Sequence, residues 1–164
     1  EVAYLEMVNA NNYFVKEVND SLTKSNITDF ILRKLPDWFG IEEAIVEYVD
    51  GVKDTYFCAA FADNQPIGFL SLKFNNEYTS EIYVMGVLKE YHKQGIGRNL
   101  IERAVNYSIN NSYKFLMVKT LGESHPDKSY RGTREFYKKL EFYPLEEIEG
   151  IWGSNPCLIM VRVL

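Results

Sequence analysis

Two glycines separated by one residue, Gly95 and Gly97, stand where the chain could bind a phosphate group. They lie between an apolar run and a helical pattern, and His92, Lys93 and Arg98 add donors and positive charge beside them. The first N–H groups of a helix lack internal partners, and the helix dipole adds partial positive charge at the same end. Because glycine has no Cβ, a phosphate can approach its backbone closely. The pattern predicts a phosphate or pyrophosphate ligand; the alternative is that the glycines only make a tight turn.

Other motifs for phosphate, ester or metal chemistry do not fit. A dinucleotide fingerprint needs a third glycine three residues after Gly97, where this chain has Leu100. A P-loop ends in Gly-Lys-Ser/Thr, whereas this loop ends in Gly97, Arg98 and Asn99. The chain has no GxSxG nucleophile elbow. Its two histidines form no Cys/His cluster, so we predict no metal site.

A strand and a helix must hold this loop in place. Residues 82–88 are apolar and partly β-branched, which favours a strand buried on both faces. After the loop, apolar side chains recur at helical spacing: Ile96, Leu100, Ile101, Ala104, Val105 and Ile109. A further apolar strand within Tyr113–Leu121 would return parallel to the first. The unit is then a βαβ crossover, which is right-handed in nearly all proteins.

The segment before this unit is more ambiguous. Residues 2–8 alternate loosely and predict a first strand, residues 12–22 predict a helix, and Asn26 starts a second helix that ends near Pro36. Residues 41–51 carry an apolar stripe, and the other face holds Glu42, Glu43, Glu47 and Asp50. This acidic face is either a solvated helix surface or a wall that attracts a cationic substrate.

The remaining elements complete one α/β domain over residues 1–164. Thr55–Ala62 and Ile67–Phe74 predict a hairpin, and a helix is expected over Tyr130–Leu140. A strand then starts near Phe142, Gly150–Pro156 forms a glycine-rich connection, and a terminal strand covers the last eight residues.

Composition sets further limits. A net charge of −5 argues against a general nucleic-acid binder, and no apolar run approaches the ~20 residues of a membrane span. No signal peptide is visible, although the chain starts at Glu1. Two cysteines make no disulfide framework, so we expect a reducing cytoplasm.

The central segment resembles the GCN5-related N-acetyltransferase (GNAT) family. The family signature Q/R-x-x-G-x-G/A, placed between a strand and a helix, is similar to His92-Lys93-Gln94-Gly95-Ile96-Gly97, with His92 departing from Gln or Arg. Residues 135–142, EFYKKLEF, resemble the family's "fYeklGF" segment, with Glu141 in place of glycine. The resemblance covers roughly residues 55–145, and the order and spacing of the two motifs add to its specificity.

The resemblance implies a fold, a co-substrate and a set of roles. It implies a mixed, mostly antiparallel sheet flanked by helices that splays open between its fourth and fifth strands. It also implies that acetyl-coenzyme A is held by its pyrophosphate at the backbone of the loop from Gln94 to Arg98. A backbone N–H near Val87 would meet the thioester carbonyl, and Tyr137 would protonate the leaving thiolate.

Glu81 lies fourteen residues before Gly95, the offset of the general-base glutamate in the histone acetyltransferase branch of the family. Partial desolvation at the start of an apolar strand would raise the pKa of such a carboxyl toward useful basicity. Many family members use water chains instead, so this role stays open.

The leading interpretation is an N-acetyltransferase that transfers the acetyl group to a primary amine by direct attack. The acceptor is a small molecule or a peptide, and its identity (antibiotic, polyamine, amino acid or protein terminus) stays open, as does a homodimer. The alternative is a non-catalytic acyl-coenzyme A-binding or sensor module with the same fold. Neither a nucleic acid nor a membrane is expected as a partner.

Overall fold

The computed structural model describes residues 12–164. Within them, the strands β1 to β7 are Tyr13–Glu17, Tyr56–Ala62, Gln65–Phe74, Thr79–Val87, Phe115–Leu121, Tyr143–Gly150 and Gly153–Val163. The helices α1 to α4 are Ser21–Leu32, Glu42–Gly51, Ile96–Asn110 and Lys128–Lys139. Among these helices, none is both long enough and apolar enough to cross a membrane.

The strands form one sheet in the order β1-β2-β3-β4-β5-β7-β6. The β1/β2, β2/β3, β5/β7 and β6/β7 pairs are antiparallel. By contrast, β4 and β5 are parallel, with Thr79–Ile82 opposite Phe115–Val118. This parallel pair confirms the predicted βαβ unit, and the sheet as a whole confirms the mixed, mostly antiparallel α/β fold.

The chain divides into two compact units. The first comprises the described chain up to Leu72 together with Val84–Ala104, and the second comprises Lys73–Tyr83 together with Val105–Leu164. In the first unit, Phe57 and Phe69 stack with ring centroids 5.3 Å apart, and both rings are fully buried. The second has its own buried side chains, among them Leu116, Phe142 and Met160. Each unit therefore has an apolar core.

Two glycines let elements of the first unit approach each other closely. A Cβ on Gly86 of β4 would lie 3.0 Å from Leu35 Cδ1 and 3.2 Å from Ile31 Cγ2. A Cβ on Gly68 of β3 would lie 3.3 Å from side-chain atoms of Ile96 and Leu100. These distances are all shorter than ordinary van der Waals contact, so a larger residue at either position would push the neighbouring side chains away. The absence of a side chain at Gly68 thereby allows the first turn of α3 to pack closely against β3.

The prediction for the N-terminal segment is partly wrong. Tyr13–Glu17, expected in a helix over residues 12–22, is a strand that pairs with β2, and Phe14 stacks on Phe61 at 5.5 Å. The next helix starts at Ser21 rather than near Asn26, because the Asp20 side chain caps it by accepting from Thr23 N at 2.8 Å. A short apolar run fits both helical and strand periodicity, so the pairing with β2 determines that residues 13–17 form a strand. The strand predicted over residues 2–8 lies outside the described residues.

A second correction concerns the C-terminal hairpin. The predicted connection Gly150–Pro156 is largely strand, because β6 extends to Gly150 and β7 starts at Gly153. Gly150 and Gly153 have φ values of 90° and 61°, which only glycine adopts freely. The two glycines therefore mark a tight turn rather than a long loop.

Candidate functional site

The loop before α3 has the backbone of an anion-binding turn. After β4 ends at Val87, a 3₁₀ turn covers Lys89–Tyr91. Lys93 and Gly95 then adopt φ values of 61° and 82°. The first helical hydrogen bond runs from Asn99 N to Gly95 O at 3.0 Å. Backbone N–H groups that follow left-handed residues and open a helix converge on a concavity that suits an anion.

Gly95 is required here for its backbone conformation. A Cβ built on it would meet no atom within 4 Å, so crowding is not the reason for glycine. A φ of 82° strains most L-residues, β-branched ones above all. Gly97 lies in the first turn of α3, where the helix itself sets its backbone. The open space over Gly95 is also what a phosphate would need.

The side chains of the loop fall into three groups. Lys93 and Arg98 are exposed and can add positive charge beside an anion. Ile96 is 1% exposed and anchors the loop in the core of the first unit. The side chains of His92 and Gln94 both turn back to backbone carbonyls: His92 Nε2 lies 2.7 Å from Val87 O, and Gln94 Nε2 donates to Glu90 O at 3.3 Å. They stiffen the turn.

The predicted base, Glu81, lies in the second unit and is held by a polar cluster. Its side chain is 5% exposed. Asn75 Nδ2 donates to Glu81 Oε1 at 2.8 Å, Lys119 Nζ lies 3.6 Å from Oε1, and Lys73 Nζ lies 3.8 Å from Oε2. Burying a carboxylate is costly unless it is paired and hydrogen-bonded, and here both conditions are met.

Sequence reasoning missed the three partners of Glu81. Lys73 is the penultimate residue of β3, Asn75 directly follows that strand, and Lys119 lies on β5. No spacing in the sequence connects these three positions. Only the pairing of Glu81 with Met117 across β4 and β5 brings Lys119 within reach.

The predicted acid, Tyr137, also lies in the second unit, on α4. It is 5% exposed, and its ring lies 5.4 Å from the rings of both Phe136 and Phe142. Asp127 caps the helix by accepting from the N–H groups of Ser129 and Tyr130 at 2.8 and 3.3 Å. The cap and the aromatic contacts hold the tyrosine in a fixed orientation.

The structure thus groups the predicted residues by unit. The loop residues and Val87 belong to the first unit, and Glu81 and Tyr137 belong to the second. In the described part of the chain, no group of three or more His, Cys, Asp or Glu side chains could hold a metal ion. The geometry of the first unit suits an anionic ligand, and that of the second offers an acid or base held in place.

Comparisons with known proteins agree with these features. The acetyltransferase (GNAT) family model matches residues 20–142. A GNAT family acetyltransferase from Elizabethkingia anophelis, solved with acetyl-CoA bound, has a TM-score of 0.69 and 20% identity and covers 94% of this chain and 99% of its own. An aminoglycoside 6'-N-acetyltransferase complexed with coenzyme A has a TM-score of 0.72 and 15% identity, covering 92% and 96%. The ribosomal-protein-S18-alanine N-acetyltransferase from Escherichia coli has a TM-score of 0.72 and 11% identity, covering 93% and 94%.

Proposed function

The chain belongs to the GNAT family of acetyltransferases, and from that premise we propose that it is an N-acetyltransferase that moves the acetyl group of acetyl-coenzyme A to a primary amine. The observation that carries the proposal is the loop before α3, with Lys93 and Gly95 in left-handed conformations and an exposed cation on each side of Gly97. Three backbone features support a pyrophosphate there: the helix start, the converging N–H groups and the open space over Gly95.

The proposed chemistry is direct attack. The nitrogen lone pair of the acceptor forms a bond to the carbonyl carbon of the acetyl group. The C–S bond then breaks, and coenzyme A leaves as a thiolate. The thiolate takes a proton from Tyr137, and the amine gives up its proton to Glu81. A backbone N–H near Val87 stabilises the charge that develops on the carbonyl oxygen.

The position of Glu81 adds one condition to this scheme. Glu81 is the third residue of β4 and Val87 is the last. A strand advances about 3.3 Å per residue, so six residues correspond to roughly 20 Å. We therefore propose that the reacting carbonyl lies near Val87 and that water carries the amine proton from the acceptor to Glu81.

The acceptor class is an amine on a small molecule or a peptide. The comparison proteins include an aminoglycoside acetyltransferase and an alanine acetyltransferase of a ribosomal protein, which supports an amine without choosing between the two kinds. A cytoplasmic location and a homodimer are further parts of the proposal.

Thiol release from acetyl-coenzyme A, measured across a panel of aminoglycosides, polyamines, amino acids and peptide N-termini, tests the function. Calorimetry with coenzyme A is run in parallel, and the matched variants are Gly95→Val and Gly95→Asn. We expect the wild type to bind coenzyme A and to acetylate at least one amine class. Valine should weaken binding because a β-branched residue rarely adopts positive φ, whereas asparagine tolerates it and should bind more nearly as the wild type does.

The outcomes separate the alternatives. Coenzyme A binding without turnover on any amine would favour the sensor module. Absence of binding would overturn the proposal. Equal binding by wild type and a folded Gly95→Val variant would show that the pyrophosphate does not bind at this loop.

A further inference from the structure

His92 takes the first position of the loop motif, but its side chain is already engaged. Its Nε2 lies 2.7 Å from the carbonyl oxygen of Val87, and its ring meets Trp38 edge-on at 5.6 Å between centroids and 73° between planes. Because a carbonyl oxygen only accepts, Nε2 must carry the proton and donate it. The Nε2–H group is therefore committed to the end of β4 rather than directed at a phosphate.

The peptide that His92 contacts is held from both sides. The carbonyl of Val87 accepts from the imidazole, while the N–H of the same peptide group, that of Leu88, donates to Ile67 O at 2.9 Å. Two opposed hydrogen bonds fix the plane of a peptide group, because rotating it would break both. The peptide group between Val87 and Leu88, directly after the position where the thioester is expected, is thereby fixed in orientation.

The same bond connects this strand end to the loop. Tyr91 N donates to Leu88 O at 2.9 Å and His92 N donates to Lys89 O at 3.1 Å, so these bonds close the turn upon itself. The side chain of His92, by contrast, reaches back to the last residue of β4. The next residue, Lys93, starts the left-handed part of the loop. One side chain therefore sets the distance between the strand end and the phosphate-binding turn.

We propose that His92 is a positioning residue that keeps the pyrophosphate-binding loop in register with the thioester at the end of β4. The inference rests on the proposed function, since it assigns the two ends of acetyl-coenzyme A to the two ends of this connection. In that role His92 contacts neither the phosphate nor the reacting atoms. By holding the loop in place relative to the strand, His92 allows the binding of the pyrophosphate to position the acetyl group for attack.

Three substitutions separate the hydrogen bond from the ring. His92→Gln retains an Nε2 donor at similar reach and loses the ring. His92→Phe retains a ring against Trp38 and loses the donor, and His92→Leu loses the donor with a smaller apolar side chain. Each protein is assayed with acetyl-coenzyme A and with S-acetyl-pantetheine, a donor without the pyrophosphate. Thermal midpoints are recorded beside kcat and KM.

The hydrogen bond predicts a definite pattern. His92→Phe and His92→Leu should lose about tenfold in kcat/KM with acetyl-coenzyme A, the scale of one hydrogen bond, with part of the loss in kcat. Their kcat/KM with S-acetyl-pantetheine should change little. The advantage of acetyl-coenzyme A, defined as the ratio of its kcat/KM to that of S-acetyl-pantetheine, should therefore become smaller. His92→Gln should retain that advantage to within about twofold of the wild type. In the wild type, imidazole nitrogen shifts should report the Nε2–H form.

Other patterns overturn the inference. An unchanged advantage of acetyl-coenzyme A in both donor-free variants would show that the connection does not position the donor, even if their thermal midpoints fall. A His92→Gln variant as impaired as His92→Leu would assign the effect to the ring. An Nδ1–H tautomer would also contradict it. Failure of the proposed function itself appears separately, as a wild type that gains nothing from the pyrophosphate.

Discussion

At the scale of single residues, the two predicted catalytic side chains differ in what surrounds them. Tyr137 is packed between aromatic rings on a capped helix, and these ring contacts do not depend on the hydroxyl oxygen. Glu81 is held by groups that contact its oxygens directly, namely Asn75, Lys73 and Lys119. Removing the charge of Glu81 therefore leaves two ammonium groups without their partner, whereas removing the hydroxyl of Tyr137 leaves the ring packing intact.

This difference predicts distinct kinetics for Tyr137→Phe and Glu81→Gln. The tyrosine variant should lose kcat by about 10²–10⁴-fold, the usual contribution of a general acid, with little change in coenzyme A affinity. The glutamine variant should be most impaired at low pH, where free amines are scarce, and should recover as rising pH deprotonates the acceptor. The tyrosine variant should not recover, because its missing proton goes to sulfur. The measurement is kcat against pH from 6 to 9.

The two pH profiles also show which result would contradict the proposed roles of Tyr137 and Glu81. If both variants follow the wild type within about twofold across this range, neither side chain performs the proposed step. Lys53, which pairs with Asp50 on the surface of the first unit, offers a control in Lys53→Met, for which we expect no change in the profile.

At the scale of elements, the acidic face of α2 is partly neutralised by the chain itself. Arg33, which directly follows α1, donates two hydrogen bonds of 2.8 and 2.9 Å to Glu42 and also contacts Asp29. Asp50 pairs with Lys53 at 3.0 Å. In the described residues, Glu43 and Glu47 have no such ion pair. Half of the acidic face thus connects elements, and only the other half could attract a cation.

The α2 face therefore predicts a split between two sets of variants. If the face steers a cationic acceptor, Glu43→Gln with Glu47→Gln should raise the acceptor KM, and the wild-type KM should rise with salt. Glu42→Gln should affect KM less, because the charge of Glu42 is already balanced by Arg33. Coenzyme A affinity should stay constant in all variants. A KM that depends on neither salt nor these substitutions would make the face an ordinary solvated surface.

At the scale of the whole molecule, both cysteines are fully buried, one in each unit. Burial raises the pKa of the Cys58 thiol to about 12, with Arg103 opposing and Glu17 adding to the rise. Burial also raises the pKa of Cys157, which the charge of Lys119 opposes and that of Glu81 increases. Since the thiolate is the reactive form, both thiols are inert in the folded state near neutral pH.

Thiol labelling should accordingly report unfolding. At pH 8 we expect the native protein to react slowly with a disulfide reagent, and both thiols to react at once in concentrated urea. A folded-state pKa above the ordinary 9.0 stabilises the fold fully below pH 9, and this contribution is lost as pH rises toward about 12. The free energy of unfolding should therefore fall less steeply with alkaline pH in Cys58→Ala than in the wild type. Rapid labelling of the folded protein at pH 8 would contradict the burial of the thiols.

The sequence by itself determined the elements whose signals are local. The apolar run of β4, the glycine loop and the periodicity of α3 all lie within thirty residues, and the structure confirms them as strand, loop and helix. The motif around Tyr137 likewise predicted α4. Helix periodicity and turn chemistry depend on residues a few positions apart, which is why a single sequence can show them.

Only the tertiary structure decided the contacts between distant segments. Residues 13–17 became a strand because β2, more than forty positions later, offered its edge. The partners of Glu81 come from the end of β3 and from β5. His92 departs from the Gln or Arg of the family signature, and its contacts with Val87 and Trp38 give it a structural role that the sequence does not show. Such contacts depend on which distant segments lie next to each other in the fold, and the local periodicity of this sequence does not indicate those pairings.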